Sequence, residues 1–340
     1  MLVGLCGGLC AGKRSVASFF VEVFDFHEII LDYPSEVKSS EIPEETFPGA
    51  SADVAAQPNQ NVTKFKSIQE LMDYVTPRWR ERFVLTGIRD RSVVDELSTR
   101  PFFLLMSIDA PVSVRWKRYV ERRQKNSDPP HTLEEFLYAS DSQMYHPISG
   151  IAAISDRATI KLINASSSLT VLHRALVYLN ITDPERVRPG WDAYFMQLAS
   201  LAAKRSNCMK RRVGCVLVRQ KRVLATGYNG APRGLTNCNE GGCGRCNSGS
   251  AGGTGLSTCL CLHAEENALL EAGRERIGNE AILYCDTCPC LTCSIKIVQV
   301  GISEVVYSQG YSMDDQTARV LMEGGVKLRQ YSPPRDGLVE

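Results

Sequence analysis

His263, Cys290 and Cys293 are of the types and spacing that bind zinc while leaving one coordination position open. Catalytic zinc takes three protein ligands and a water, whereas structural zinc takes four protein ligands and is closed. Glu265 follows two residues after the histidine, so on a helix it projects differently and is free to move protons. Water on zinc has a pKa near 7, which makes a nucleophile at neutral pH. Pro289-Cys290-Leu291-Thr292-Cys293 reads as a helix start. A proline loses nothing there, and the positive end of the helix favours thiolate over thiol.

Cys285 and Cys288 make a second C-x-x-C just upstream, so the cysteines alone also allow a closed four-cysteine site. His263, Glu265 and Pro289 favour the open site, because a closed one has no use for the carboxylate. His-x-Glu followed by Pro-Cys-x-x-Cys is the pattern of the zinc nucleobase deaminases, in which hydroxide on zinc attacks C4 of cytosine. Glu265 would carry a proton from the water to ring N3 and later protonate the leaving amine.

These residues need elements to position them, and 340 residues suit two domains. Hydrophobic content of 44% and charged content of 23% are those of a soluble globular protein. A net charge of +1 argues against a broad electrostatic grip on nucleic acid. No secretory signal and no membrane span are expected. Eleven of the thirteen cysteines lie after residue 207 at close spacings, which favours thiolates on metal in a reducing compartment, the cytoplasm or the nucleus.

Alternating strands and helices predict a doubly wound α/β domain over residues 1–181. Residues 34–64, poor in apolar periodicity, read as a flexible insertion. A linker over 182–190 carries Pro184 and Pro189. A second α/β domain is expected over 191–332, with a tail at 333–340. In it, helices are expected over Trp191–Lys204, His263–Ala272 and Leu291–Val300, and strands over Val213–Val218, Arg222–Tyr228, Ala281–Cys285 and Glu304–Ser308.

The stretch from Arg188 to Tyr331 resembles the deoxycytidylate (dCMP) deaminase family. The resemblance rests on Arg188-Pro189-Gly190-Trp191-Asp192, Ala203-Lys204-Arg205-Ser206-Asn207-Cys208, Gly227-Tyr228-Asn229-Gly230-Ala231-Pro232, His263-Ala264-Glu265-Glu266-Asn267-Ala268, and Pro289-Cys290 with Cys293. It covers a little over 40% of the chain. It implies an α/β/α sandwich on a mixed five-stranded sheet, one catalytic zinc, and conversion of dCMP to dUMP for thymidylate synthesis. It further implies homo-oligomers, often hexamers, activated by dCTP and inhibited by dTTP, with magnesium expected only alongside nucleotide effectors. Asn229 and Gly230 are expected at the substrate sugar or phosphate, and Arg274 near nucleotide contacts or a subunit interface. Some members carry a second zinc, and the matching positions here suggest Cys208, Cys238, Cys246 and Cys261, with Cys243 or Cys259 able to replace one. A deaminase acting on nucleic acid and a bifunctional kinase–deaminase are the alternatives.

Near the N-terminus, Gly7-x-x-x-x-Gly12-Lys13 resembles a P-loop, whose backbone amides and lysine hold phosphates. The first domain as a whole resembles small P-loop kinases such as dephospho-coenzyme A kinase. Arg14 stands where the magnesium-binding Ser or Thr belongs, so the domain is expected to be vestigial or regulatory.

Overall fold

The computed structural model describes residues 1–32, 62–129, 131–147, 150–166, 168–249, 254–310, 315–333 and 337–339. The chain forms two units, one of Met1–Arg188 with Pro334–Glu340 and one of Pro189–Pro333.

In the first unit β1 (Leu2–Cys6) leads through the glycine-rich loop into α1 (Lys13–Phe24). There follow β2 (His27–Leu31), β3 (Thr63–Phe65), α2 (Ile68–Val75), β4 (Phe83–Thr86), α3 (Arg91–Leu97), β5 (Phe103–Asp109), α4 (Val112–Lys125), α5 (Leu133–Tyr145), α6 (Ile151–Asp156), β6 (Ile160–Ile163) and α7 (Leu169–Leu179). The sheet order is β6-β5-β1-β4-β2-β3, all parallel. All five residues of β1 are buried, because helices cover both faces of a central parallel strand. Alternation sends Val3 into one core, with Phe20, Met106 and Leu176, and Leu2 into the other, with Leu71, Leu85 and Leu97.

Two expectations change here. Of the segment 34–64, residues 34–61 lie outside the described residues, while Thr63 and Lys64 belong to β3. Residues 333–340 are not simply a tail, since Gly337–Val339 pairs in parallel with Ile160–Leu162 as a seventh strand. The free edge of β6 offers backbone donors and acceptors that an extended segment satisfies.

The second unit runs α8 (Trp191–Ala203), β7 (Gly214–Arg219), β8 (Arg222–Tyr228), α9 (Gly244–Asn247), α10 (Ala264–Ile277), β9 (Ile282–Thr287), α11 (Leu291–Val300), β10 (Glu304–Gln309), α12 (Asp315–Glu323) and β11 (Lys327–Gln330). Its five strands lie in the order β11-β10-β9-β7-β8. β7 is antiparallel to both neighbours and the other pairs are parallel, giving the expected mixed sheet. Phe195, Met196 and Ala199 of α8 cover one face, against Val216, Tyr284 and Val306. Ala264, Ala268, Ile297 and Leu321, from α10, α11 and α12, cover the other, against Cys215, Leu217 and Leu283.

Glycine sets how closely the site-bearing helix approaches this sheet. A Cβ at Gly227 on β8 would lie 2.0 Å from the Ala264 carbonyl oxygen and 2.6 Å from the Ala268 nitrogen. The start of α10 therefore rests directly on the β8 backbone.

Candidate active site

His263 occupies the N-cap position of α10, with extended backbone (φ −77°, ψ 157°). Its N–H donates to the Glu266 carboxylate at 3.0 Å, satisfying a donor the helix start leaves open. Lys296 of α11 pairs with the same carboxylate, tying together the two helices that carry the site. Just upstream, Leu262 and Gly230 exchange backbone hydrogen bonds of 2.9 and 3.2 Å. The Asn267 amide donates to the Tyr228 carbonyl at 3.0 Å. The Gly-Tyr-Asn-Gly turn and the histidine are thus held as one piece.

Cys290 caps α11 and Cys293 lies fully buried in its first turn. Both sulfurs are 3.3 Å from His263 Nδ1, and the three ligand atoms lie within 4.8 Å of one another. Zinc bonds of about 2.3 Å to sulfur and 2.0 Å to nitrogen place tetrahedral S and N ligands about 3.5 Å apart, so this donor set fits the ion. Cys285 does not join it. It is fully buried on β9 in register with Cys215 on β7. Among the described residues no fourth protein ligand completes the group, as an open site requires.

Contact with Cys293, and then with His263 and Thr292, overcomes burial and brings the Cys290 thiol down to about 3. The Cys290 sulfur in turn holds the His263 imidazole above its ordinary range, against the opposing pull of burial. Zinc would take the place of these protons.

Glu265 is 4% exposed, in the first turn of α10. Burial pushes its carboxyl up to about 7. A carboxyl poised there can both accept and give a proton near neutrality.

Asn229 is buried and its amide is turned into the protein. Oδ1 accepts from the Ser206 hydroxyl at 2.7 Å and the Val213 N–H at 2.8 Å, and Nδ2 donates to the Arg211 carbonyl at 2.7 Å. It braces the strand entry at 211–213 against the turn. Gly230 is needed for space, since a Cβ there would lie 2.5 Å from Asn207 Oδ1. Arg211 donates to Thr287 and Gln309 at 3.1 Å, at the ends of β9 and β10. Helix α10 breaks at Gly273 (φ 69°), and Arg274 stands exposed just past the break.

The thiols of Cys208, Cys238, Cys246 and Cys261 lie within 4.8 Å of one another. Those of Cys243, Cys246, Cys259 and Cys261 meet the same criterion. The fold therefore gathers Cys208, Cys238, Cys243, Cys246, Cys259 and Cys261 into one place.

Sequence reading assigns no role of their own to Asn267, Ser206 or the Glu266–Lys296 pair. Glu266, three residues past the cap, carried the readable signal, because that spacing marks a reciprocal helix cap. Ser206 reaches the site only through tertiary contact.

In the first unit, the loop after β1 binds its own lysine. Lys13 Nζ donates to the Gly7 and Gly8 carbonyls at 2.8 and 2.9 Å. Gly12 (φ 111°) sits so close to Asn164 that a Cβ would lie 2.4 Å from Nδ2. Arg118 donates to the Ala11 carbonyl at 3.1 Å and the Ser166 carbonyl at 2.6 Å. A recess beside the loop is lined by Gly7, Gly8, Asp109, Asp156 and Lys161.

The family model for the cytidine and deoxycytidylate deaminase zinc-binding region matches residues 189–309. A deoxycytidylate deaminase of Schizosaccharomyces pombe is 51% identical over 338 residues, covering 99% of each chain. That of Saccharomyces cerevisiae is 49% identical over 273 residues, covering 78% of this chain and 86% of its own. A crystal structure of the dCMP deaminase of cyanophage S-TIM5, in complex with dCMP and dUMP, is 32% identical over 41% of this chain and 94% of its own, with a TM-score of 0.34. No helix among the described residues is long and apolar enough to cross a membrane.

Proposed function

The chain belongs to the deoxycytidylate deaminases, and on that premise we propose that His263, Cys290 and Cys293 hold a catalytic zinc at which dCMP is hydrolysed to dUMP and ammonia, with Glu265 as the proton carrier. The observation that carries this reading is the placement of a buried carboxyl, raised to about 7, two residues from an imidazole that faces two cysteine sulfurs. Zinc bound there supplies a Lewis acid that brings the pKa of a water to about 7. With zinc in place, Glu265 would take one proton of a water as the C4–O bond forms and pass it to ring N3, then take the second from the new C4 hydroxyl and give it to the amine as the C4–N bond breaks.

Asn229 acts by holding Arg211–Val213 in place, and its remaining Nδ2 hydrogen is the group available to the substrate. Gly230 lets the backbone pass close to Asn207, and Arg274 serves nucleotide or subunit contacts at the surface. Cys208, Cys238, Cys246 and Cys261 hold a structural zinc. The loop of Gly7, Gly12 and Lys13 is a vestigial or regulatory phosphate site, because its lysine is engaged by loop carbonyls and Arg14 replaces the magnesium hydroxyl. Homo-oligomers responding to dCTP and dTTP belong to the same reading.

Zinc removal tests it. Protein stripped by chelator should lose dCMP turnover and regain it with added zinc. Full turnover by a preparation free of zinc would contradict the proposal.

A further inference from the structure

The two four-cysteine groups share Cys246 and Cys261. We infer that Cys208, Cys238, Cys243, Cys246, Cys259 and Cys261 hold two zinc ions, not one, in a binuclear thiolate cluster bridged by Cys246 and Cys261. One ion takes Cys208 and Cys238 as its terminal ligands, and the other takes Cys243 and Cys259.

The distances agree. Zinc–sulfur bonds of about 2.3 Å put the sulfurs of one tetrahedron about 3.8 Å apart. Cys208–Cys246 is 3.8 Å, Cys246–Cys259 is 3.8 Å, Cys243–Cys259 is 3.9 Å and Cys246–Cys261 is 4.0 Å. None approaches the disulfide length of about 2.05 Å, and all six are free thiols. Cys246 touches both a terminal ligand of the first group and one of the second, as a bridging sulfur must.

A single zinc would leave two cysteines with no reason to be there. With an ion on the first group, Cys243 and Cys259 would still lie within 4.8 Å of two of its ligands, unused. Among the described residues, the local core consists of these six cysteines and contains no aliphatic or aromatic side chain. A glycine-rich segment without apolar burial has little to offset its ordering entropy, and metal binding supplies that folding energy.

The terminal sulfurs have N–H donors that suit thiolates. Met209 N–H reaches Cys238 at 3.4 Å and Leu260 N–H reaches Cys243 at 3.4 Å. Cys208 faces the N–H groups of Lys210 and Arg211, and Cys259 faces the Arg245 guanidinium. Two divalent ions offset four of the six thiolate charges, and Arg245 stands beside the remainder. Cys261 lies two residues before His263, so the cluster also fixes the chain entering the active site.

Native mass spectrometry of the zinc-loaded full chain counts the ions. In the His263→Ala chain, which lacks an active-site ligand, two zinc ions per chain are expected, and one or none overturns the inference. That count stands apart from the deaminase reading, whose failure would alter only the ion at His263. Exchange into cadmium-113 then tests the bridges. Two cadmium resonances split by mutual coupling are expected, since that coupling travels only through a shared sulfur, and two unsplit resonances overturn the inference. Replacing both Cys243 and Cys259 with Ser should remove one ion and the splitting. If that variant does not fold, the counts and coupling in the other two proteins still decide.

Discussion

The loop after β1 and the paired helix starts of α10 and α11 both look like motifs, yet the structure treats them differently. At the helix starts, side chains separated by more than twenty residues converge. His263 Nδ1 meets two sulfurs at 3.3 Å while Glu265 is buried beside them. In the glycine-rich loop, Lys13 turns back onto the carbonyls of its own loop, and Arg118 holds that loop from α4. One motif presents its reactive atoms to a common point, and the other satisfies itself. A spacing becomes evidence of chemistry when its polar atoms point at each other's target rather than at the backbone that carries them.

The largest effect expected from this contrast is at Glu265. Glu265→Gln should retain zinc and lower kcat for dCMP by about 10²–10⁴-fold, the usual worth of a positioned proton carrier. Zinc content and steady-state turnover on the same preparation check it. Full activity in that variant would remove the shuttle and much of the contrast.

Next comes the platform beneath the site. Gly227→Ala places a methyl 2.0 Å from the Ala264 carbonyl oxygen, so α10 must lift from β8. A loss of roughly 1–3 kcal/mol in unfolding free energy is expected. Turnover should suffer beyond the stability loss, because His263 and Glu265 ride on that turn.

A smaller effect is expected at Asp192, where α8 meets the sheet. Its carboxylate accepts from Arg329 at 2.6 and 3.2 Å and from the Tyr284 hydroxyl at 2.8 Å. Burial would raise its pKa, but these partners hold it below the ordinary 3.8. A carboxyl held low stabilises the fold above its unfolded pKa and loses that contribution as pH falls through the folded value. Asp192→Asn should therefore cost about 1 kcal/mol at neutral pH, given that the pair is partly exposed. The gap from the parent should close on acidification below 3.8, as followed by denaturant melts. A gap that is constant with pH would mean that the charge is not the cause.

The smallest effect belongs to the other side of the comparison. Lys13→Met should leave dCMP turnover unchanged. A large loss of turnover would mean that the glycine-rich loop takes part in the deaminase reaction and would erase the contrast.

Much of this is legible in the sequence. Leu291–Val300 and Arg222–Tyr228 show their periods plainly and form the elements expected of them. His263, Cys290 and Cys293 are readable because a metal restricts ligand type and spacing. The sequence reading missed α2 and α5, although each is announced by a cap. Ser67 accepts from the Glu70 N–H, and Thr132 forms a reciprocal box with Glu135. It also missed β2, whose first residues, His27 and Glu28, break the apolar pattern. Gly337–Val339 could not be foreseen, since parallel pairing with a strand some 175 residues earlier leaves no local trace. The six-cysteine cluster lies between these cases. Its residue types were plain, but only the fold shows two groups of four sharing two members.

The most direct test is the loss of ultraviolet absorbance by zinc-loaded protein given dCMP, deoxycytidine, dCTP or a short cytosine-containing single strand. Turnover of dCMP alone is predicted, making the 5′-phosphate a required handle. Turnover of the single strand with none of dCMP, or no turnover of any of the four despite bound zinc, would contradict the account.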